Sequence, residues 1–243
     1  MSTTPDLVWI NASPSLQWID KPLLKLLSQA LTVAQWEYYQ EWDEASCLET
    51  AIELLHDYLS KQNRPIHLAG HGISGVVGLL YARRYPEQVS SLNLLAVASQ
   101  PAITWHSHYY VLRQLLPCCQ FKVLTQIAWS LWGDQQPHCK PFLVKALRQD
   151  LDDAPCLHSL FKVIELPKGG VEVPLQVLGS TTDPVVDPVN LQTWKKYFKP
   201  GDQLWECIQG RHFFHYSQAQ QVAQQILSFS YPCEASLQLE VVV

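Results

Sequence analysis

The chain has 243 residues, 47% of them apolar, with 17 Lys and Arg against 22 Asp and Glu and a formal net charge of -5. This suffices for one sizeable core with an insertion but not for two full domains and a linker, and no long run of one sign is present to attract phosphate backbones or anionic lipid. Neither a nucleic-acid nor a membrane partner is expected. No stretch reaches the roughly 18 to 20 apolar residues of a membrane span, and MSTTPDLVWI lacks a basic region followed by an apolar one, so the expectation is a soluble, cytoplasmic protein. Seven cysteines, odd in number and without CxxC spacing, read as free thiols in a reducing compartment, and no cofactor or metal is expected.

Taken in chain order, strand patterns occupy Leu7 to Ile10, Thr32 to Tyr38, Pro65 to Ala69, Ser91 to Val97, Pro174 to Leu178 and Gln203 to Ile208. Several are apolar throughout, as parallel strands covered on both faces must be. Helical patterns lie between them. Ser46 with Glu49 forms a capping box ahead of Leu48, Ala51, Ile52, Leu55 and Leu59, and Ser217 with Gln220 forms another ahead of Val222, Ala223 and Ile226. Strand alternating with helix predicts a parallel, doubly covered α/β sheet.

One connection breaks the rhythm, since about 75 residues separate Val97 from Pro174, far beyond a normal crossover. From about Pro101 to Phe161 this segment reads as several helices interrupted at Pro117, Gly133 and Pro155. The predicted division is a core of residues 1–99 and 173–243 with a helical cap insertion at 100–172. The final YPCEASLQLEVVV is open between a short strand and a tail.

The segment HLAGHGISGVVGLLYARRYPEQVSSLNLLA, His67 to Ala96, resembles the strand, turn and helix at the heart of the α/β-hydrolase family. That family carries Gly-x-Ser-x-Gly at a strained strand-to-helix turn; here the five positions are Gly70, His71, Gly72, Ile73 and Ser74, so the serine slot holds glycine. Counting back about fourteen residues from Pro86, as the resemblance directs, also lands on Gly72. Ser74, the alternative nucleophile, is two residues along a helix and so rotated by about 200° from position 72.

LQVLGSTTDPVVDP resembles the family's acid loop, which points to Asp183 with Asp187 as fallback, and IQGRHFFH resembles the loop of the general base, which points to His212. The resemblance implies an Asp-oriented imidazole facing position 72; the plainer reading of these residues is a turn or cap aspartate and a buried loop histidine. His215 reads as a surface residue. Where the family has His-Gly after its first strand of this type, INASPS has Asn11 and Ala12, with Ser13 in the position of an oxyanion donor; Ile73 N–H, at a helix start, is the second donor. His71 and Asn11 complete the candidate substrate contacts. The family's early antiparallel hairpin is missing, which predicts a nearly all-parallel sheet.

Glycine at the elbow has no Oγ, so an acyl-enzyme through residue 72 is impossible. Three readings follow: binding of a small apolar or ester-like molecule without chemistry, water activation by His212 and Asp183 without a covalent intermediate, or covalent hydrolysis through Ser74. Trp105 to Tyr110, with Trp129 and Trp132, either line an apolar pocket or fill the insertion's own core. His106, His108, His138 and Cys139 do not have the spacing of a tetrahedral metal site. Glu41, Trp42 and Asp43 follow the second strand at the end where ligands approach open sheets, as pocket rim or solvated loop. The sequence sets no oligomeric state.

Overall fold

The computed structural model describes residues 4–39, 47–133, 140–156 and 158–232. In chain order these form β1 (Leu7–Asn11), α1 (Lys21–Leu27), β2 (Val33–Glu37), α2 (Leu48–Leu59), β3 (Ile66–His71), α3 (Ile73–Arg84), β4 (Val89–Leu95), α4 (Trp105–Leu115), α5 (Gln120–Trp132), α6 (Lys140–Asp153), β5 (Leu175–Ser180), α7 (Pro188–Gln192), β6 (Gln203–Cys207), α8 (Phe214–Ser217) and α9 (Ala219–Ser230), with a 3-10 turn at Pro14–Ile19. The strands make one sheet in the order β2-β1-β3-β4-β5-β6, and every neighbouring pair is parallel. The predicted parallel α/β sheet is therefore present, with each strand within two or three residues of its expected place.

Alternation along β1 shows how the sheet serves two cores. Val8 and Ile10 join Leu68, Leu92, Leu94, Leu175 and Val177 in a cluster covered by α2 and α3, while Leu7 and Trp9 join Ala69, Leu95 and Leu178 against α1 and α9. Side chains on a strand point alternately to opposite faces, so burial on both sides requires the unbroken apolar runs seen in the sequence. Each such Leu or Ile contributes about 1.5–3 kcal/mol on burial.

Between β4 and β5 lie α4, α5 and α6, whose ends fall at the predicted breaks near Pro117, Gly133 and Pro155. Helix α4 begins in a capping box of Thr104 and Ser107. The return segment to β5 has no helix or strand among its described residues and is held by side chains instead. Arg83 on α3 donates from Nε to Gly170 O (3.2 Å), from Nη1 to Pro167 O (2.9 Å) and from Nη2 to Gly169 O. His158 donates from Nε2 to Ala102 O at 2.9 Å and accepts at Nδ1 from Ile164 N–H at 3.1 Å; burial depresses its pKa, which suits a neutral ring used as both donor and acceptor.

The capping box of Ser217 and Gln220 does not form. Ser217 is the last residue of the short helix α8, its hydroxyl turns back to Phe214 O at 3.4 Å, and α9 starts after Gln218 without a side-chain cap. For α2 the residue at the cap is Cys47, which makes no side-chain capping bond; Ser46 lies outside the described residues, as do Glu41, Trp42, Asp43, His138, Cys139 and the tail from residue 233. Among the described residues no helix is long and apolar enough to cross a membrane, and no group of three His, Cys, Asp or Glu is placed to hold a metal ion.

Helix α3 returns closely over β3 because both carry glycine at the contact. A Cβ on Gly70 would lie 2.9 Å from Gly75 N and 2.9 Å from Ser74 C, both backbone atoms that cannot swing aside. Gly70→Ala is expected to cost about 1–3 kcal/mol through overpacking, read as a lower midpoint in urea denaturation with an unchanged slope.

Candidate functional site

The turn from β3 into α3 passes through Gly72 at φ 54° and ψ -124°, a backbone conformation that strains any residue with a Cβ. The turn is anchored by Gly72 N–H donating to Leu95 O at 2.9 Å. A Cβ built on Gly72 has one heavy-atom neighbour within 4 Å outside its own turn, His212 Nε2 at 3.9 Å. The imidazole of His212 thus faces the apex of the turn.

His212 is held from the other side by Asp183. Its Nδ1 lies 2.9 Å from Asp183 Oδ2 and 3.2 Å from Oδ1, and both side chains are buried. Asp183 Oδ1 also accepts from Val185 N–H (2.8 Å) and Val186 N–H (3.2 Å), bonds that orient the carboxylate and offset its desolvation. An ionised carboxylate only accepts, so the His212 proton sits on Nδ1 and Nε2 offers a lone pair; that nitrogen is buried with no hydrogen-bond partner among the described residues. Arg211, just before it, is at φ 51°, strain of the kind that collects at functional turns. Its guanidinium donates to Ser130 O at 3.0 Å and lies 5.3 Å from the Trp129 ring centroid, which ties this loop to α5.

The other sequence candidates separate. Asp187 caps α7, accepting from Asn190 N–H at 2.8 Å, and does not meet His212. Ser74 is buried on the first turn of α3, where its Oγ accepts from Ala12 N–H at 2.9 Å; its bond is to the loop after β1 and not to the imidazole. Ser13 N–H is already taken, donating to Asn11 Oδ1 at 3.0 Å, which corrects its expected role as a free oxyanion donor. A short polar side chain two residues back closes this turn on itself. Ile73 N–H, at the first position of α3, has no carbonyl partner within the helix and keeps its donor capacity.

His71 does not offer its Nε2 to a ligand. That atom donates to His212 O at 2.9 Å, so His71 positions the main chain of the loop that carries His212. Burial, followed by the proximity of His215 and His212, holds its pKa well below the ordinary histidine value. His215 is the clearest misreading: it is fully buried, with Nε2 3.0 Å from Asp20 Oδ1 and its ring 4.3 Å from that of His71. Asp20 also accepts from Trp9 Nε1 at 2.8 Å. Nothing in the sequence marked Asp20, which stands 195 positions from its histidine.

Gly72, Ile73, His71, His212, Asp20 and His215 all line one open pocket. The insertion's aromatics divide between the two readings. Trp105 lines the pocket and donates from Nε1 to buried Asp150 at 3.1 Å. Trp132 is buried among Trp18, Phe213 and Tyr216, and Trp129 is partly exposed under Arg211. His106 is buried 3.0 Å from Asp150, and His108 has its pKa depressed by burial and by His212.

His71 is neutral when folded and, at low pH, protonated when unfolded. Its contribution to stability is therefore complete above about pH 6.5, the ordinary histidine value, and lost as the pH falls below it. His71→Gln is expected to flatten the dependence of the unfolding free energy on pH between about 6.5 and 5, by up to about 1.4 kcal/mol per pH unit, measured by urea denaturation.

No established protein-family profile matches the chain. It is 48% identical over 229 residues to the uncharacterized protein alr2406 of Nostoc sp. (strain PCC 7120), covering 94% of this chain and 92% of that protein. To the uncharacterized protein sll0249 of Synechocystis sp. (strain PCC 6803) it is 36% identical over 223 residues, covering 92% and 89%. Among solved structures, the meta-cleavage product hydrolase CumD from Pseudomonas fluorescens IP01 superposes with a TM-score of 0.69 at 12% identity, over 94% of this chain and 90% of that one. The enol-lactonase from Burkholderia xenovorans LB400 gives 0.67 at 16% identity, over 94% and 92%. Identities this low establish architecture alone.

Proposed function

The chain belongs to the same protein family as the two cyanobacterial proteins and has the α/β-hydrolase fold, and on that premise we propose that it binds a small ester-like molecule above Gly72 and hydrolyses it without a covalent intermediate. Gly72 occupies the place of the fold's nucleophile, and α4 to α6 act as a cap over the pocket. His212, held by Asp183, is the general base.

One observation carries this reading. His212 Nε2 is buried, has no partner among the described residues, and faces the space where a side chain on residue 72 would begin, 3.9 Å away. Leaving a buried acceptor unsatisfied costs about 1–3 kcal/mol, and a water satisfies it at once. Such a water donates one proton toward Nε2 and can turn its oxygen to a carbonyl carbon. Attack leaves negative charge on the carbonyl oxygen, for which Ile73 N–H and the positive end of α3 provide stabilisation. Collapse expels the alcohol, which recovers the proton from His212, so the balance is ester plus water to acid plus alcohol. General-base assistance of this kind supplies about 10²–10⁴ in rate, so turnover is slow beside an enzyme with a serine nucleophile.

A second reading, binding without chemistry, is favoured by the loop after β1. Ala12 N–H is taken by Ser74 and Ser13 N–H by Asn11, which leaves the oxyanion a single well-placed donor. Removing one such donor from an enzyme costs about 10²–10³ in turnover.

Ester turnover without a burst of alcohol, lost at least 100-fold in His212→Ala and retained in Ser74→Ala, is the expected result. Turnover that persists in His212→Ala refutes the general base, and measurable binding with no turnover in the native protein establishes the second reading. Loss of activity with Ser74→Ala would restore a covalent route through that hydroxyl; the expected effect of that variant is instead about 1–3 kcal/mol of stability, since Ala12 N–H loses its acceptor. Gly72→Ser places an Oγ within reach of His212 Nε2 at a strain of about 1–3 kcal/mol. It is expected to introduce a burst phase equal to the enzyme concentration.

A further inference from the structure

The pocket contains a second aspartate–histidine pair that water activation leaves unused. Both oxygens of Asp20 are engaged, Oδ2 by Trp9 Nε1 at 2.8 Å and Oδ1 by His215 Nε2 at 3.0 Å. Because the carboxylate only accepts, the His215 proton is on Nε2 and its Nδ1 carries a lone pair. Nδ1 is buried and has no partner among the described residues. This repeats the condition of His212 with the ring nitrogens exchanged: there Asp183 takes Nδ1–H and Nε2 is left free. One pocket is thus lined by two histidines, each fixed in one tautomer by a carboxylate and each left with one buried, unsatisfied acceptor.

The charge around them narrows what fits. The described lining residues include Asp20 and no lysine or arginine, and Asp183 stands directly behind His212. An anionic ligand would meet the Asp20 carboxylate, with that of Asp183 behind His212, and no fixed cation among the described lining residues. A purely hydrocarbon ligand would seal His215 Nδ1 away from any donor, a loss comparable to an unmade hydrogen bond. An uncharged molecule carrying a hydroxyl satisfies both conditions.

Resting on the reading that His212 activates water against an ester-like carbonyl, we propose that the Asp20–His215 pair selects the substrate: His215 Nδ1 accepts a hydrogen bond from a substrate hydroxyl, so the substrate class is neutral hydroxy-esters. Water fills the acceptor at His212 and the substrate itself fills the one at His215.

The test uses a substitution that reverses the polarity of one atom. In Asp20→Asn, the amide oxygen keeps the bond from Trp9 Nε1 and the NH₂ group faces His215 Nε2, which must then accept. The imidazole proton moves to Nδ1 and the free nitrogen becomes a donor. We would measure kcat/KM for methyl 2-hydroxybutyrate and methyl 3-hydroxybutyrate relative to methyl butyrate in the native protein, Asp20→Asn, His215→Phe and His212→Ala, with circular dichroism to establish that each variant is folded. A preference of about tenfold or more for at least one hydroxy-ester is expected in the native protein, since a site built to bond a hydroxyl rejects the analogue lacking it. It should fall to about one or below in His215→Phe. In Asp20→Asn a hydroxyl can still accept from Nδ1–H, so there the diagnostic ester is methyl 3-methoxybutyrate, which accepts and cannot donate: the native protein should reject it and Asp20→Asn should take it. No preference in the native protein, a preference that survives in folded His215→Phe, or a methoxy-ester that folded Asp20→Asn takes no better than the native protein does, overturns the proposal. If His212→Ala still abolishes turnover, the general-base reading stands regardless; if turnover survives that change, the general-base reading fails instead. Should none of the esters turn over, the same ratio is read from dissociation constants by chemical-shift titration, and equal affinities for hydroxy-ester and plain ester overturn the proposal.

Discussion

The close return of α3 over β3 is the constraint from which the site follows. With no side chain at Gly70 or Gly75, two backbones meet where a Cβ would collide, and the chain must reverse within one residue. Gly72 takes that reversal at positive φ, which brings Ile73 and Ser74, the first residues of α3, to the pocket. The helix also supplies Arg83, which gathers three carbonyls of the segment returning from the insertion. One helix therefore lines the site with its first turn and anchors the segment leading into β5.

Around this pocket the histidine side chains are ordered by acceptors. Asp183 fixes His212, Asp20 fixes His215, and the carbonyl of His212 fixes His71. Each bond dictates which ring nitrogen carries a proton. Burial and the two neighbouring rings keep His71 neutral, so it orders the loop without adding charge to it. The carboxylates are themselves held, Asp183 by two main-chain N–H groups and Asp20 by an indole.

What the sequence revealed depended on whether the signal was local. The strands were legible because burial on both faces writes itself as continuous apolar runs, and the insertion because its length and its breaks at Pro117, Gly133 and Pro155 interrupt the βα rhythm. The pairing of Asp183 with His212 was legible through the motifs around them. Ser217 was misread because the capping-box pattern is satisfied equally by the end of one short helix lying against the start of the next. His215 was misread because the partner that makes its burial tolerable, Asp20, lies 195 residues away in a turn with no distinguishing pattern. Ser74 looked like a displaced nucleophile, and only the fold reveals that its hydroxyl is spent on Ala12, 62 residues distant. Long-range polar pairing leaves no periodic trace.

That last bond has a mechanical consequence. Ala12 leads away from β1 and Ser74 opens α3, so a single hydrogen bond cross-braces the two elements bordering the cavity from below. The contact from above joins Ser15 to Asp150 of α6 at 3.2 Å, from a partly buried hydroxyl. Water reaches the upper tie and is excluded from the lower one. The tie to α6 is therefore the easier of the two to exchange with solvent, and the one at the first turn of α3 the harder.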